Sequence, residues 1–136
     1  MENFSSLGID WGSKKIGLAI ADSETRVALP LSTIPNDEHL LDRLASYVNE
    51  YTVREVVIGI PAFVHHERAR FGGELLGKQI EDAFHIPVRY ENEMFTTKLA
   101  RAELLARGVR RSLDDLDDQE AARIILESFL ARMIKM

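Results

Sequence analysis

Two acidic residues stand where a carboxylate could take part in chemistry. Asp10 directly follows the short apolar run Leu7–Ile9, and ligands of α/β sheets bind at the ends of strands. Asp118 heads a helical stripe of apolar residues made of Ala121, Ala122, Ile125 and Phe129. Two carboxylates that approach each other repel unless a cation or a shared proton compensates. If the strand end and the helix meet, the pair predicts a cation site.

Each acid also has a purely structural interpretation. Gly12 follows Asp10 closely, and an Asp ahead of a Gly is common in turns. Asp118 could equally cap a helix or stabilise its first turn. Glu91 and Glu93 follow a short predicted strand, where solvated loop acids are common. The sequence leaves these alternatives open.

The composition restricts the kind of site that is available. None of the 136 residues is cysteine, so disulfides and thiolate metal sites are excluded. Carboxylates and imidazoles remain as ligands, and they favour Mg²⁺ or Mn²⁺ over structural Zn²⁺. The net charge of −5 argues against a generic nucleic-acid coat. It does not argue against a nuclease, whose acidic site counts as negative until cations bind.

The N-terminal residues Met1–Ser6 lack the basic region and apolar run of a signal peptide. No stretch of the sequence is apolar for long enough to span a bilayer. Because cysteine is also absent, we expect a cytoplasmic protein that does not contact the membrane.

The order of the predicted elements indicates an α/β domain. Short alternating strands are expected at Leu7–Asp10, Lys15–Ala21 and Arg26–Leu31. The later expected elements are a helix from Asn36 or Asp37, a strand at Glu55–Ile60, a helix at Arg68–Phe84, a strand at Pro87–Glu91, a helix from Thr96 or Thr97 to Gly108, and a helix at Gln119–Met133. Helical crossovers make the later strands parallel.

We therefore predict a single domain over residues 1–136. Its core is a five-stranded mixed sheet, an antiparallel meander followed by parallel strands, with helices on both faces. Gly17, Ala19 and Ala21 share one face of the second strand, which predicts that a helix packs closely against that face.

Four sequence blocks, taken in order, resemble the YqgF/RuvX family, the Holliday-junction-resolvase-like branch of the RNase H fold. The blocks are Gly8-Ile9-Asp10-Trp11-Gly12, Val57-Ile58-Gly59-Ile60-Pro61, Glu93 with Thr96-Thr97, and Asp118-Gln119-Glu120-Ala121-Ala122. They are similar to the family's Gly-Ile-Asp-aromatic-Gly, Val-Val-Gly-Leu-Pro, Asp-Glu-Arg-Leu-Thr-Thr and Asp-x-x-Ala-Ala motifs. Their order and spacing agree with the family over almost the whole chain.

The resemblance implies an RNase H-like fold and an active site of Asp10, Glu93 and Asp118 that holds one or two Mg²⁺ or Mn²⁺ ions. The implied reaction is hydrolysis of a phosphodiester, with one metal ion activating water and a second stabilising the leaving oxygen. The implied partner is a nucleic acid. It is either precursor 16S rRNA, processed at its 5′ end during ribosome biogenesis, or branched DNA.

The sequence departs from the family in two places. The family's Asp-Glu-Arg-Leu is replaced by Asn92-Glu93-Met94-Phe95, and the Asp-Gly turn that normally follows the central strand is missing from Ala62–Arg68. These changes leave a second interpretation open. The chain could be a weak or inactive RNase H-like module that binds a nucleic acid or a protein.

Basic residues lie close in sequence to each of the three acids, with Arg107, Arg110 and Arg111 ahead of Asp118. Those expected to follow a phosphate backbone are Lys14, Lys15, Arg68, Lys98 and Arg101. A solvated charged face is the alternative interpretation. His65 and His66 could bind a metal ion, but neighbours on an extended chain point in opposite directions, which favours polar loop residues. The block Asp10–Lys14 also resembles the first phosphate loop of actin-like proteins and sugar kinases, an ATP-binding alternative.

Overall fold

The computed structural model describes residues 3–61, 67–92 and 117–134, without the side chains of residues 67–69 and 134. Its elements in chain order are β1 (Ser5–Asp10), β2 (Lys15–Asp22), β3 (Leu29–Pro35), α1 (Leu40–Glu50), β4 (Val53–Ile60), α2 (Glu67–Phe84), β5 (Val88–Asn92) and α3 (Asp118–Ile134). The predicted helix that ends at Gly108 lies outside the described residues. None of the described helices is both long and apolar enough to cross a bilayer.

The five strands form one sheet in the order β3-β2-β1-β4-β5. β1 pairs antiparallel with β2, and β2 pairs antiparallel with β3. On the other side of β1, β4 is parallel to β1 and β5 is parallel to β4. The predicted meander followed by parallel strands is therefore confirmed. β1, which ends at Asp10, is the central strand.

One face of the sheet carries the larger apolar core, to which α1 and α2 contribute. Its fully buried side chains include Leu7, Ile9, Ile16, Leu18, Leu44, Val56, Ile58 and Ile80. Among them, the strand residues Ile9 and Leu18 alternate with the small residues Gly8, Gly17 and Ala19, which face the other way. The alternation gives the sheet one face of large side chains and one face of small ones.

α3 covers the face of small residues, as the sequence predicts. Ala19 and Ala21 of β2 form a buried cluster with Ala122, Leu126 and other apolar residues of α3. The helix lies so close to β1 that a Cβ on Gly8 would stand 2.8 Å from Cβ of Leu126 and 2.9 Å from the carbonyl oxygen of Ala122. No residue with a side chain fits at this position without moving the helix.

The third strand differs from the prediction, because Leu29–Pro35 replaces the expected Arg26–Leu31. The carboxylate of Asp22 accepts hydrogen bonds from the backbone N–H groups of Glu24 and Thr25 at 2.9 and 2.8 Å. Arg26 has a φ of 55°, in the left-handed region that a strand excludes. The chain therefore enters β3 later. Its prolines are compatible with pairing because β3 is an edge strand.

The first helix also begins later than expected. Asp37 accepts a hydrogen bond from the backbone N–H of His39 at 3.0 Å, and α1 starts at Leu40 without a side-chain cap. The predicted caps Asn36 and Asp37 therefore lie in the turn ahead of the helix. The remaining described elements agree with the predicted ones to within one or two residues at each end.

Candidate active site

The strand register places five residues in one row across the whole sheet. Asp10 pairs with Gly17 of β2 and with Gly59 of β4. Gly17 pairs in turn with Thr33 of β3, and Gly59 pairs with Glu91 of β5. Since directly paired residues project to the same face, all five belong to the face that α3 covers. Asp10 is thus flanked by a glycine on each side.

The N-terminus of α3 lies directly over Gly17. A Cβ built on Gly17 would stand 1.9 Å from the carbonyl oxygen of Asp118 and 2.9 Å from its Cβ. Asp10 and Gly17 are paired residues on adjacent strands, so their Cα atoms are only about 5 Å apart. The side chain of Asp10 projects to the face on which Asp118 lies, and both residues are partly exposed. The fold therefore brings Asp10 and Asp118 together at the end of the central strand.

The residue that caps α3 is Asp117, not Asp118. Oδ1 of Asp117 accepts a hydrogen bond from the backbone N–H of Glu120 at 2.8 Å, and its carbonyl oxygen accepts one from the N–H of Ala121 at 3.0 Å. This is the pattern of a helix N-cap. The carboxylate of Asp118, one residue later, is not needed for capping and stands in the first turn, where the helix dipole favours an acid.

Asn36 fixes the loop that follows Asp10. Its side-chain Nδ2 donates to the carbonyl oxygen of Gly12 at 2.7 Å, and its backbone N–H donates to the carbonyl oxygen of Lys14 at 2.9 Å. These bonds tie the β1–β2 turn to the end of β3. The sequence predicts only a helix cap at Asn36, because its partners in this turn cannot be read from local periodicity.

A second polar contact lies beside Asp118. The hydroxyl group of Thr33 donates to Oε1 of Gln119 at 3.3 Å. Thr33 is the last member of the row on the β3 side, so this contact joins the first turn of α3 to the edge strand. Thr33 was not singled out by the sequence, because its neighbourhood depends on the register of β2 and β3.

Two of the predicted phosphate-binding residues lie close to Asp10. Lys14 and Lys15 are exposed at the β1–β2 hairpin, and Lys15 shares with Gly17 the face covered by α3. Arg68 belongs to the first turn of α2. Its neighbour Arg70 forms an ion pair within that helix, with Nε 2.9 Å from Oε1 of Glu74.

Glu91 is not a solvated loop acid, so that interpretation is wrong. It belongs to β5 and is fully buried, with 0% of its surface exposed. Ser128 donates to Oε2 of Glu91 at 2.6 Å. Nε of Arg132 lies 3.2 Å from the same oxygen, and the Nη2 group of Arg132 bonds to Oε1. The pairing joins residues far apart in the sequence, and only the packing of α3 on β5 reveals it.

The side chain of Ile125 separates Glu91 from Asp10. It occupies the space over Gly59, where a Cβ would stand 2.4 Å from Cδ1 of Ile125. Gly59 lies between the two acids in the row, and Ile125 is almost fully buried. Glu91 is therefore outside the polar site at Asp10.

Several residues predicted for the site lie outside the described part of the chain. They are Glu93, Met94, Lys98 and Arg101, together with His65 and His66. Asn92, the altered residue of the third family block, is the exposed last residue of β5 and pairs with Ile60. Glu93 follows it directly in the sequence.

The chemistry of the donors at this site fits a hard divalent cation. Asp10 and Asp118 supply carboxylate oxygens, the ligands that Mg²⁺ and Mn²⁺ prefer. Gly17 has no side chain that would fill the space between the two residues. Within residues 3–61, 67–92 and 117–134, no group of three acidic or imidazole side chains is assembled. These two aspartates are thus the described part of a candidate metal site.

Comparison with known proteins gives relatives over nearly the whole chain. The family model of RuvX, described as Holliday junction resolvase, matches residues 5–132. A protein of Streptococcus uberis is 36% identical over 137 residues, covering 93% of this chain and 96% of the relative. A protein of Dictyoglomus turgidum is 36% identical over 129 residues, covering 91% and 92%. Both carry the provisional name of a pre-16S rRNA nuclease.

Solved structures share the fold at low sequence identity. The RuvC protein of T. thermophilus in complex with a Holliday junction substrate superimposes with a TM-score of 0.65 at 18% identity, over 96% of each chain. A Fowlpox virus resolvase bound to Holliday junction DNA gives a TM-score of 0.56 at 12% identity, over 96% of this chain and 99% of the resolvase. The RNase H-like fold predicted from the sequence is thereby confirmed.

Proposed function

This chain belongs to the RuvX family of Holliday junction resolvases, and we propose that it is a metal-dependent nuclease that trims the 5′ end of precursor 16S rRNA. The proposed site consists of Asp10, Glu93 and Asp118. The observation that carries the proposal is the position of Asp118 over Gly17, in register with Asp10. A helix cap needs no second acid there, because Asp117 already fills that role.

In the proposed site, Asp10 and Asp118 would hold a divalent ion, Mg²⁺ or Mn²⁺, through their carboxylate oxygens. Family membership adds Glu93 as the third ligand. The bound cation would supply Lewis-acid stabilisation of the charge that develops on the phosphate during hydrolysis. Lys14 and Lys15, on the neighbouring hairpin, bind phosphates of the strand and hold it against the site. Arg68, Lys98 and Arg101 extend this phosphate track.

The substrate assignment rests on the relatives. Proteins that match over more than nine tenths of this chain are named for pre-16S rRNA, whereas the family description and the solved structures concern Holliday junctions. We favour RNA because the curated relatives are the more similar proteins, at 36% rather than 18% identity. An enzyme of this kind acts in the cytoplasm. Membership of this family also gives the ATP-binding alternative no support.

Asn92 and Met94 support a second candidate function. The family has an aspartate and an arginine at these two positions, next to the proposed ligand Glu93. Loss of one acid and one cation beside a proposed metal ligand would weaken catalysis. The second candidate is therefore an RNase H-like module that binds RNA, or a protein, without cleaving it.

One experiment separates these functions. The purified protein is incubated with a precursor 16S rRNA fragment and, separately, with a four-way DNA junction, in Mg²⁺, in Mn²⁺ and in EDTA. We expect cation-dependent cleavage of the RNA that Asp10→Asn abolishes while leaving RNA binding intact. Cleavage of the junction but not of the RNA would identify branched DNA as the substrate. Binding without cleavage, equal in both proteins, would favour the non-catalytic module.

A further inference from the structure

Glu91, Ser128 and Arg132 form a polar clamp that joins the C-terminal half of α3 to β5. Ser128 and Arg132 are four residues apart and therefore lie on the same side of the helix. Ser128 bonds to one carboxylate oxygen of Glu91, and Arg132 bonds to both. A two-point pair between a guanidinium and a carboxylate fixes direction as well as distance. The glutamate side chain is completely buried, whereas 48% of the arginine side chain is exposed.

Much of the remaining contact between α3 and the sheet is apolar packing on small side chains and glycines. Three strands present glycine to the helix, at Gly8, Gly17 and Gly59, and the atoms above them include apolar side chains of Leu126 and Ile125. Contacts of this kind depend on area and are not directional. The clamp at Glu91 therefore adds a directional constraint that this apolar packing lacks.

The two ends of α3 are consequently different. At the N-terminal end, Asp118 lies over Gly17, and Gln119 accepts a hydrogen bond from Thr33 at 3.3 Å. At the C-terminal end, Arg132 is held in a charged pair with a buried partner. Asp118 and Arg132 are fourteen residues apart, about 21 Å along a helix. Because a helix moves as a rigid body, a displacement at Arg132 reaches Asp118.

We infer that Glu91 is a positioning residue of the proposed metal site, which it holds together without touching the ligands. The inference rests on the proposed function. Glu91 lies in the same row of the sheet as Asp10, with Gly59 between them, and α3 carries Asp118. The clamp therefore sets the position of Asp118 relative to the strand that carries Asp10. Ile125 over Gly59 keeps Glu91 itself away from Asp10.

The test uses a paired substitution, Glu91→Met with Arg132→Met. Replacement of an ion pair by apolar residues of similar volume is often neutral for stability or better where a partner is buried, and the Ser128 hydroxyl can instead bond to a carbonyl oxygen of its own helix, so the melting temperature should stay near that of the wild type. The two methionine side chains form no directional hydrogen bonds, so they cannot fix the position of α3 relative to β5. We expect the Mn²⁺ affinity, measured by calorimetry, to fall about tenfold or more, as for other residues that orient metal ligands. We expect kcat on RNA to fall with it and KM to stay unchanged.

A matched control removes an ion pair that lies within α3. Arg123 pairs along the helix with Glu120 and Glu127, so Arg123→Met with Glu127→Met likewise replaces one arginine and one glutamate by methionine, and it leaves the Glu91–Arg132 contact in place. We expect wild-type Mn²⁺ affinity and kcat in this control. The single variant Glu91→Gln, which keeps the size of the side chain and an acceptor for Ser128, carries the same test if the paired variant does not fold.

A distance measurement decides the inference independently of catalysis. The chain has no cysteine, so cysteines introduced at the exposed positions Ser13 and Ala131 would be the only sites that take a thiol-reactive spin label. We expect one narrow distance distribution in the wild type and a shifted or broader one in the paired methionine variant. An unchanged distribution overturns the inference. So does a shifted distribution with wild-type Mn²⁺ affinity and kcat. If the wild type neither binds Mn²⁺ nor cleaves RNA, the proposed function fails, and the distances alone decide whether Glu91 positions α3.

Discussion

The carbonyl oxygen of Asp118 lies 1.9 Å from the point where a side chain on Gly17 would begin. No atom can occupy that point while α3 stays in place. The clash would be between the first side-chain atom of residue 17 and the helix backbone. Rotation about side-chain bonds cannot relieve it, because neither a Cβ nor a backbone carbonyl moves with such a rotation. Asp10 and Asp118 can therefore lie close together only if residue 17 is glycine.

Gly17→Ala should therefore push the first turn of α3 away from β2. We expect a loss of about 1–3 kcal/mol in the free energy of unfolding, as for other overpacked sites, and loss of Mn²⁺-dependent cleavage. Gly73→Ala on α2 is the control, because the nearest atom to its Cβ would be Cγ2 of Ile58 at 3.3 Å. Its effect on stability should stay below about 1 kcal/mol. Equal effects of the two substitutions on cleavage would contradict the role given to Gly17.

The neighbouring acids Asp117 and Asp118 should respond oppositely to substitution. Asp117→Ala removes the helix cap and should cost about 1 kcal/mol without metal, but the rise in melting temperature on adding Mn²⁺ should persist. Asp118→Asn should change stability little without metal, because relief of repulsion from Asp10 is offset by a weaker interaction with the helix dipole. It should remove most of the Mn²⁺-induced rise, which depends on affinity for the folded state. Six thermal melts, of the wild type and both variants with and without Mn²⁺, test this, and a full Mn²⁺ response in Asp118→Asn would show that Asp118 is not part of the site.

Lys14 and Lys15 should contribute to RNA binding through charge alone. With both changed to Gln, the affinity should fall for every RNA sequence, and the slope of log K against log salt should decrease by about 0.7 for each phosphate that the protein no longer neutralises. Lys78→Gln is the control, since Lys78 is exposed on α2, across the sheet from α3. Binding titrations at several salt concentrations measure both slopes. If the double variant keeps the wild-type slope, the phosphate track lies elsewhere.

Asn36 should matter for cleavage although it is not a proposed ligand. Asn36→Ala removes the donor to the carbonyl oxygen of Gly12, which should cost about 1 kcal/mol of stability. It also frees the turn that follows Asp10, so kcat should fall further than the stability loss alone would cause. The control Asn49→Ala changes an exposed asparagine on α1 and should leave kcat unchanged. Equal kcat values in the two variants would show that catalysis does not depend on the hydrogen bond from Asn36 to the β1–β2 turn.

Much of the fold follows from local patterns. The alternation of Ile16, Leu18 and Ile20 with Gly17 and Ala19 predicts both the strand and the close helix on one face, since both depend on residues adjacent in the sequence. The start of β3 could not be predicted, because it depends on the hydrogen bonds that Asp22 accepts in the preceding turn. The identity of the cap on α3 required coordinates, because four aspartates stand within five residues of Asp114–Asp118.

The candidate site was predictable only in part, for the same reason. Asp10 and Asp118 each occupy a recognisable local position, and the family motifs name them as partners. The partners of the buried Glu91 depend instead on how α3 crosses β5, which no local pattern encodes. The sequence did offer one signal of this pairing. Glu91 is a charged residue in a predicted strand, and Ser128 and Arg132 are spaced four residues apart on a predicted helix. This signal becomes readable only once the register of β4 and β5 is known.

The position of α3 in the chain bears on when the protein can become active during translation. All five strands are synthesised before Asp118–Ile134, and a domain generally folds as a unit. Until α3 docks, Asp10 has no opposing aspartate on the face that bears Gly17 and Glu91. A nascent chain that lacks α3 therefore cannot assemble the proposed site, and cleavage would begin only after this helix has docked.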